Sequence, residues 1–260
     1  MRILEFVSPE DLNEAYEILC SQPKAMIIGG GVYSRLQKRS IPLAIEISHL
    51  GLDYIKEVGD SIVIGSMATL RDIEVNPVLV ENNSGVLSKA VSQIAGVPIR
   101  NIATIGGSIC GKYPFSDLLT PLLVMGAQLK FFEKGIVEIE DYLNNDNFKR
   151  DILIEIIIPN KNLKCDFRFF KQTYGDFSLC NVAVSKDAEY KIAIGARPGR
   201  AKFAFASMAI SNDSEQQTSI DTIVESAIYE LEFEDDYRAS GDYRRVLAGT
   251  LLKEALLEVE

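Results

Sequence analysis

The chain has 260 residues, 47% of them hydrophobic and 25% charged, enough for about two modest domains. Its 27 Lys and Arg stand against 37 Asp and Glu, and the net charge of -10 removes the basic surface that a nucleic-acid backbone requires. Four scattered cysteines without a C-x-x-C pair, and His49 as the only histidine, exclude a cysteine-held iron–sulfur cluster and a multi-histidine zinc site within this chain. The opening MRILEFVSPED reads as neither a signal peptide nor an anchor, and no run of about eighteen apolar residues follows. The expectation is a cytoplasmic protein with neither membrane nor nucleic acid as partner.

Ser8 and Pro9 signal a helix start, with Leu12, Ala15, Tyr16 and Leu19 on one face and Pro23 after its end. A short apolar strand, Ala25 to Ile28, runs into Gly29-Gly30-Gly31, where a ligand can approach the backbone closely. LAIEIS reads as a strand with His49 beyond its end, a placement that favours a loop residue over a catalytic one. YIKEV and SIVIG, separated by Gly59-Asp60, form a hairpin. Val86, Leu87, Ala90, Val91 and Ile94 recur at helical spacing, and Gly96 with Pro98 closes that helix. IRNIATIGGSICGKYP is a long loop, leading to Ser116-Asp117 as the cap of a second helix. QLKFF, VEIE and DILIEIIIP supply further strands up to Pro159.

After about residue 160, FRFFKQTY, NVAVS, KIAIGA and AKFAFA read as successive antiparallel strands. Two helices close the chain, one carrying Ile220, Ile223, Val224, Ala227, Ile228 and Leu231, the other starting near Ser240. Strands followed by helices point to an α+β class. The acidic run from Glu230 to Asp236 reads as solvated surface.

Gly29-x-Gly31-x-x-Ser34 after a strand nearly matches a dinucleotide fingerprint, but VYSRLQKRS is too short and too poorly periodic for the long helix that should follow. A ligand-free structural turn is the alternative at that point.

Two longer motifs carry a resemblance. IIGGGVYSRLQK and, above all, IRNIATIGGSICGKYPFSDLLTPLLVMGAQL resemble the FAD-binding subunit of the xanthine dehydrogenase and carbon monoxide dehydrogenase family of molybdenum hydroxylases. The likeness continues through DILIEIIIP and FFKQ to DDYRASGDYRRVLAGTLLKEAL, over nearly the whole chain. It implies a two-lobed FAD-binding domain of the vanillyl-alcohol-oxidase type over 1–160, with lobes of about 1–50 and 51–160. A small α+β C-terminal domain over 161–260, with a three-stranded antiparallel sheet and helices, follows.

The resemblance also implies a site. Met26, Ile27, Ile28, Gly29, Gly30, Gly31, Val32 and Tyr33 take the positions of the first FAD loop, and Thr104, Ile105, Gly106, Gly107 and Ser108 those of the second. Backbone amides of both loops would hold the diphosphate, a role suited to glycine-rich nests. Thr104 would add a hydroxyl and Asp117 would accept from FAD hydroxyls, or serve as a helix cap. Ile94, Leu153 and Lys171 complete the cofactor-binding set, and Lys171 reads equally as a solvated strand lysine. No side chain is assigned a catalytic role and no metal is bound.

The function implied is non-covalent FAD binding and electron relay. Electrons would come from [2Fe-2S] clusters on a small partner subunit, fed by a molybdenum cofactor on a large one, and would leave to NAD or another acceptor. Departures from the family pattern are Gly31-Val32-Tyr33 in the first loop, Lys112-Tyr113 before Pro114, and Gly175 with Ser178-Leu179-Cys180 where a basic residue and Asp-Ile-Ala are usual. The last leaves the acceptor open. A non-catalytic scaffold subunit and a stand-alone flavin oxidoreductase stand as alternatives.

Overall fold

The computed structural model describes residues 2–38, 40–204 and 219–260. Two compact units interleave along the chain: residues 1–73, 96–111 and 127–159 form the first, and 74–95, 112–126 and 160–260 the second.

In the first unit, strands β1 (Arg2–Val7), β2 (Ala25–Ile28) and β3 (Ser40–Glu46) form a parallel sheet in the order β1-β3-β2. The strand β1 was not visible as a separate element in the sequence, because RILEFV runs straight into the helix signal. Helix α1 (Leu12–Ser21) covers one face, packing Ala15 and Leu19 against Ala25, Ile45 and Ile47. Asp11, rather than Ser8, caps it by accepting from the Glu14 N–H at 2.9 Å. Arg150 closes its far end, donating to the carbonyls of Leu19 and Gln22 at 3.1 Å each.

A five-stranded antiparallel sheet, ordered β4-β5-β8-β6-β7, completes this unit. Its strands are β4 (Ile55–Val58), β5 (Ser61–Gly65), β6 (Gln128–Phe131), β7 (Gly135–Glu138) and β8 (Leu153–Pro159). The Gly59-Asp60 hairpin is present, with Val58 opposite Ser61 and Gly59 at φ +56°. Helix α2 (Leu70–Val75) follows, and the unit's first segment ends within it at Ile73.

Helices α3 (Pro77–Glu81), α4 (Val86–Ser92), α5 (Val97–Arg100), α6 (Ile105–Cys110), α7 (Leu119–Val124) and α8 (Ile139–Asn144) are short. The segment expected as one long loop, 99–114, therefore holds the end of α5 and the whole of α6. Pro98 sits in the first turn of α5, where its missing N–H has no intrahelical partner, so it opens a helix rather than closing one.

In the second unit, β9 (Lys164–Phe170), β10 (Cys180–Lys186), β11 (Tyr190–Gly195) and the two-residue β12 (Lys202–Phe203) form an antiparallel sheet of order β12-β11-β10-β9. The four strands match the four antiparallel segments read from the sequence, one more than the three-stranded sheet that the resemblance implies. Helix α9 (Ile220–Tyr229), capped by Ser219, and helix α10 (Gly241–Val259), capped by Ser240, pack Ile223, Ala227, Ala248, Leu252 and Leu256 onto Val182, Val184, Ile192 and Ile194. The end of the AKFAFA segment lies outside the described residues. No helix among the described residues is long and apolar enough to cross a membrane.

Candidate functional site

The first unit brings both glycine segments together. Strand β2 delivers Gly29, Gly30 and Gly31, and α6 begins at Ile105 with Thr104 as its cap. A Cβ on Gly30 would stand 1.6 Å from the Ile102 carbonyl oxygen, and one on Gly29 would stand 2.5 Å from Thr104 Oγ1. Only glycine lets the two loops approach so closely. Gly31 holds φ +66°, and a turn from Ser34 to Leu36 follows it where the dinucleotide fingerprint would require a long helix.

The two loops differ in what their backbone donors are doing. Among the described residues, the N–H groups of Gly30, Gly31 and Val32 donate to no protein acceptor. In the second loop, Ile105 donates to Ala68 O at 3.0 Å, Gly106 to Ser66 O at 2.9 Å, Gly107 to Thr104 Oγ1 at 3.2 Å and Ser108 to Thr104 O at 3.1 Å. The second loop is thus internally bonded, and what it leaves open is the Gly107 face. A Cβ there meets only Thr104 Oγ1, at 3.0 Å. Thr104 is buried, and its hydroxyl accepts from Gly107 without donating its own proton to any described residue. Leu153, at the start of β8, is a buried core residue of this unit.

In the second unit, Asp117 and Lys171 form an ion pair at 2.8 Å, with side chains 4% and 7% exposed. Asp117 Oδ1 also accepts from Ser178 Oγ at 2.5 Å and Asn181 Nδ2 at 2.8 Å, while Lys171 Nζ donates to Gln93 O at 2.6 Å. The Asp117 carboxylate is therefore an internal brace linking the approach to α7, the end of β9 and the start of β10. It is not the cap of α7, because Leu118 precedes that helix and the Leu118 N–H goes to Ser116 Oγ at 3.3 Å. Lys171 is likewise no solvated strand lysine. Ile94 follows α4 and donates its N–H to Val91 O at 3.0 Å. Tyr113, in the same unit, stacks on Phe115 with centroids 5.5 Å apart.

The closing DDYRASGDYRR motif proves to be a buried lock. Arg244, fully buried, donates to Asp236 at 2.5 Å, to Ala196 O at 2.8 Å and to Leu179 O. Asp236 also accepts from the N–H groups of Arg238 at 2.8 Å and Ala239 at 3.1 Å. These contacts outweigh the cost of its partial burial and hold its carboxyl below the usual range.

A local electrostatic signal escaped the sequence reading, which judged charge over the whole chain. Residues 18–45 contain Lys24, Arg35, Lys38 and Arg39 and no acidic residue, and residues 82–116 contain Lys89, Arg100 and Lys112 and none. Both glycine loops lie inside these acid-free stretches of an otherwise acidic chain.

Comparison with known proteins gives this arrangement its family. Residues 2–161 match the FAD binding domain in molybdopterin dehydrogenase, and residues 166–259 match the CO dehydrogenase flavoprotein C-terminal domain. The nicotine 6-hydroxylase medium subunit of Paenarthrobacter nicotinovorans is 24% identical over 98% of this chain and 96% of its own. The nicotinate dehydrogenase FAD-subunit of Eubacterium barkeri is 28% identical over 66% of this chain and 63% of its own. Among solved structures, a carbon monoxide dehydrogenase from Hydrogenophaga pseudoflava superposes with a TM-score of 0.91 at 23% identity, covering 100% of this chain and 97% of that one. Quinoline 2-oxidoreductase from Pseudomonas putida gives 0.87 at 22% identity, covering 98% and 96%. The glycine loops, the two matched domains and the fold together make this chain a member of the family of FAD-binding, medium-type flavoprotein oxidoreductase subunits of the molybdenum hydroxylases.

Proposed function

We propose that the chain is the electron-transfer subunit of a molybdenum hydroxylase complex. It takes electrons from the [2Fe-2S] clusters of a small subunit, supplied by a molybdenum-binding large subunit, and passes them to NAD or another acceptor. The observation that carries the reading is the row of N–H groups at Gly30, Gly31 and Val32 with no described protein acceptor, in an acid-free segment of a −10 chain. Such a row is a nest for an anion, and the FAD diphosphate is the anion this family binds.

The residues present fit that group. Gly30, Gly31 and Val32 would donate to diphosphate oxygens, and the Thr104 hydroxyl has a proton left to give. Gly107 keeps the facing surface free of a side chain, so an anion can reach the backbone, while Gly106 lets the loop close against Ser66. Met26 to Ile28 and Tyr33 place this loop, and Ile105 and Ser108 fix the second one. Ile94, Asp117, Leu153 and Lys171 stay in the proposed cofactor set, with Asp117 and Lys171 acting through the brace that holds Ser178 and Asn181. FAD, when bound, supplies the redox chemistry, and the protein supplies binding, orientation and exclusion of water. No side-chain acid, base or nucleophile is required. Residues 1–160 are taken as the FAD-binding domain and 161–260, which include Lys171, as the C-terminal domain.

The test loads the full chain with FAD, reduces it anaerobically and adds NAD. Return of the oxidised flavin spectrum with formation of NADH supports NAD as acceptor. Recovery only with an artificial acceptor keeps the electron-transfer role and assigns another acceptor. A flavin that is bound but can be neither reduced nor reoxidised contradicts the proposal.

A further inference from the structure

Helices α9 and α10 pack side by side and leave an open groove of about 620 Å³ on their solvent side. Contacts along it fix which residues stand level. Lys253 Nζ donates to Asp221 Oδ1 at 2.6 Å, and Gly249 lies beside Val224 and Ile228. The helices therefore run antiparallel. Tyr229 and Arg245 line the same groove, each eight residues or about 12 Å beyond the Asp221–Lys253 level on its own helix.

The floor of the groove is apolar. Val224 and Ile228 are half-buried over the core of the unit, and Tyr229 and Val246 stand beside them 88% and 68% exposed. Apolar side chains grouped around a groove and left in water mark a contact surface.

Its walls carry opposite charge. Helix α9 contributes Asp221 and Glu225, and α10 contributes Arg245 and Lys253. Asp221 and Lys253 pair with each other, but their side chains are 69% and 51% exposed and water screens most of the attraction. Among the described residues, Glu225 and Arg245 form no ion pair, and the Arg245 guanidinium rests 5.5 Å from the centre of the Phe233 ring.

This division of charge identifies the occupant. A ligand of one sign is attracted by one wall and repelled by the other. A second copy of the groove, turned about a two-fold axis running along it, sets each acidic wall against the basic wall of the other copy. That rotation preserves the levels, so Asp221 faces Lys253 of the second copy, and the Tyr229 ring faces the cation of its Arg245. A two-fold axis across the groove would oppose like walls, so the charges select the orientation as well.

We propose that the groove between α9 and α10 is a self-complementary docking face through which two copies of this chain associate. Over the ten residues of α9, about 15 Å, the strip is smaller than a standard interface of roughly 800 Å² per partner, and a dissociation constant in the micromolar range is expected.

The full chain is followed by sedimentation over a concentration and salt series, with flavin content and Tm measured in parallel. Two charge variants are compared with it. Asp221→Lys with Glu225→Lys makes both walls basic, and Arg245→Glu with Lys253→Glu makes both acidic. The expected result is a reversible dimer of the unaltered chain, weakened by salt and, at least about tenfold, by Tyr229→Ala. Each charge variant alone should be monomeric, and an equimolar mixture of the two should associate, because each wall again meets its opposite. FAD content should be the same throughout, since no residue of the groove belongs to the proposed cofactor set. A chain that stays monomeric up to about 0.1 mM overturns the proposal. If Tyr229→Ala then loosens an assembled complex, the groove belongs to a different subunit. A dimer that persists in both charge variants overturns the proposal too, and assigns self-association to another face.

Discussion

Two glycines that look alike in the sequence do different work in the structure. Gly30→Ala would drive a methyl against the Ile102 carbonyl at 1.6 Å, a backbone contact with no means of relief. The expected cost is about 3 kcal/mol or more, seen as a lowered Tm and loss of the native far-UV spectrum. Gly107→Val meets only Thr104 Oγ1 at 3.0 Å, so the chain should remain folded and lose FAD retention. Normal flavin content in a folded Gly107→Val protein would remove the second loop from the cofactor site. Asp117 gives a second contrast. Asp117→Ala leaves the Lys171 ammonium buried without its partner, and a loss of about 3–5 kcal/mol is expected in chemical denaturation. Asp117→Asn retains hydrogen-bonding capacity toward Ser178 and should lose less. The residues themselves were legible in the sequence, because the motif marks them. Their partners were not, since Asp117 and Ser178 are 61 residues apart in the chain and only the sheet of the second unit brings them together.

At the scale of elements, periodicity revealed what is long and amphipathic and missed what is short. The hairpin at Gly59-Asp60 and the helices α9 and α10 carried their own signals of turn chemistry, apolar stripe and serine cap. Helices α5 and α6, of four and six residues, fell below the length at which a stripe can be read, so their segment looked like a loop. Packing also decides thiol chemistry. Burial pushes Cys165 and Cys180, on β9 and β10, up to about 12, while Cys20 and Cys110 are exposed. An aromatic disulfide reagent at mild alkaline pH should titrate two thiols in the native chain and four in denaturant, and rapid reaction of all four in the native chain would contradict that packing.

The junction after β3 carries a pH dependence. His49 lies near its Pro9 carbonyl partner at 2.7 Å and Glu46 at 3.1 Å, and these contacts raise its pKa above 6.5. Glu46 is lowered below 4.5, because bonds from Ser48 and His49 outweigh desolvation. A raised histidine stabilises fully below 6.5 and loses that contribution as pH climbs through its folded value. A lowered carboxylate stabilises above 4.5 and loses its contribution as pH falls through its folded value. Stability from this cluster should therefore decline on the alkaline side of 6.5. His49→Gln should flatten that limb in a Tm-against-pH series without changing FAD content, and an unchanged limb would show that other groups set it.

Over the whole molecule, charge was the property most easily misread. A net charge of −10 argues against a nucleic-acid backbone, yet it concealed two acid-free stretches around the glycine loops. The chain order of elements followed from local patterns, but the interleaving of the two compact units did not, because residues 74–95 and 112–126 join their unit through contacts distant in sequence. The central claim is that the full chain holds FAD without a covalent bond, through the nest at Gly30 to Val32. The most direct measurement is titration of the purified full-length chain with FAD, followed by absorbance, thermal melting and acid extraction. The prediction is saturation at one FAD per chain, complete release by acid, and a Tm that rises with ligand, corresponding to about 2.7 kcal/mol at a hundredfold excess over Kd. A folded chain that neither binds FAD nor gains stability from it would contradict the claim.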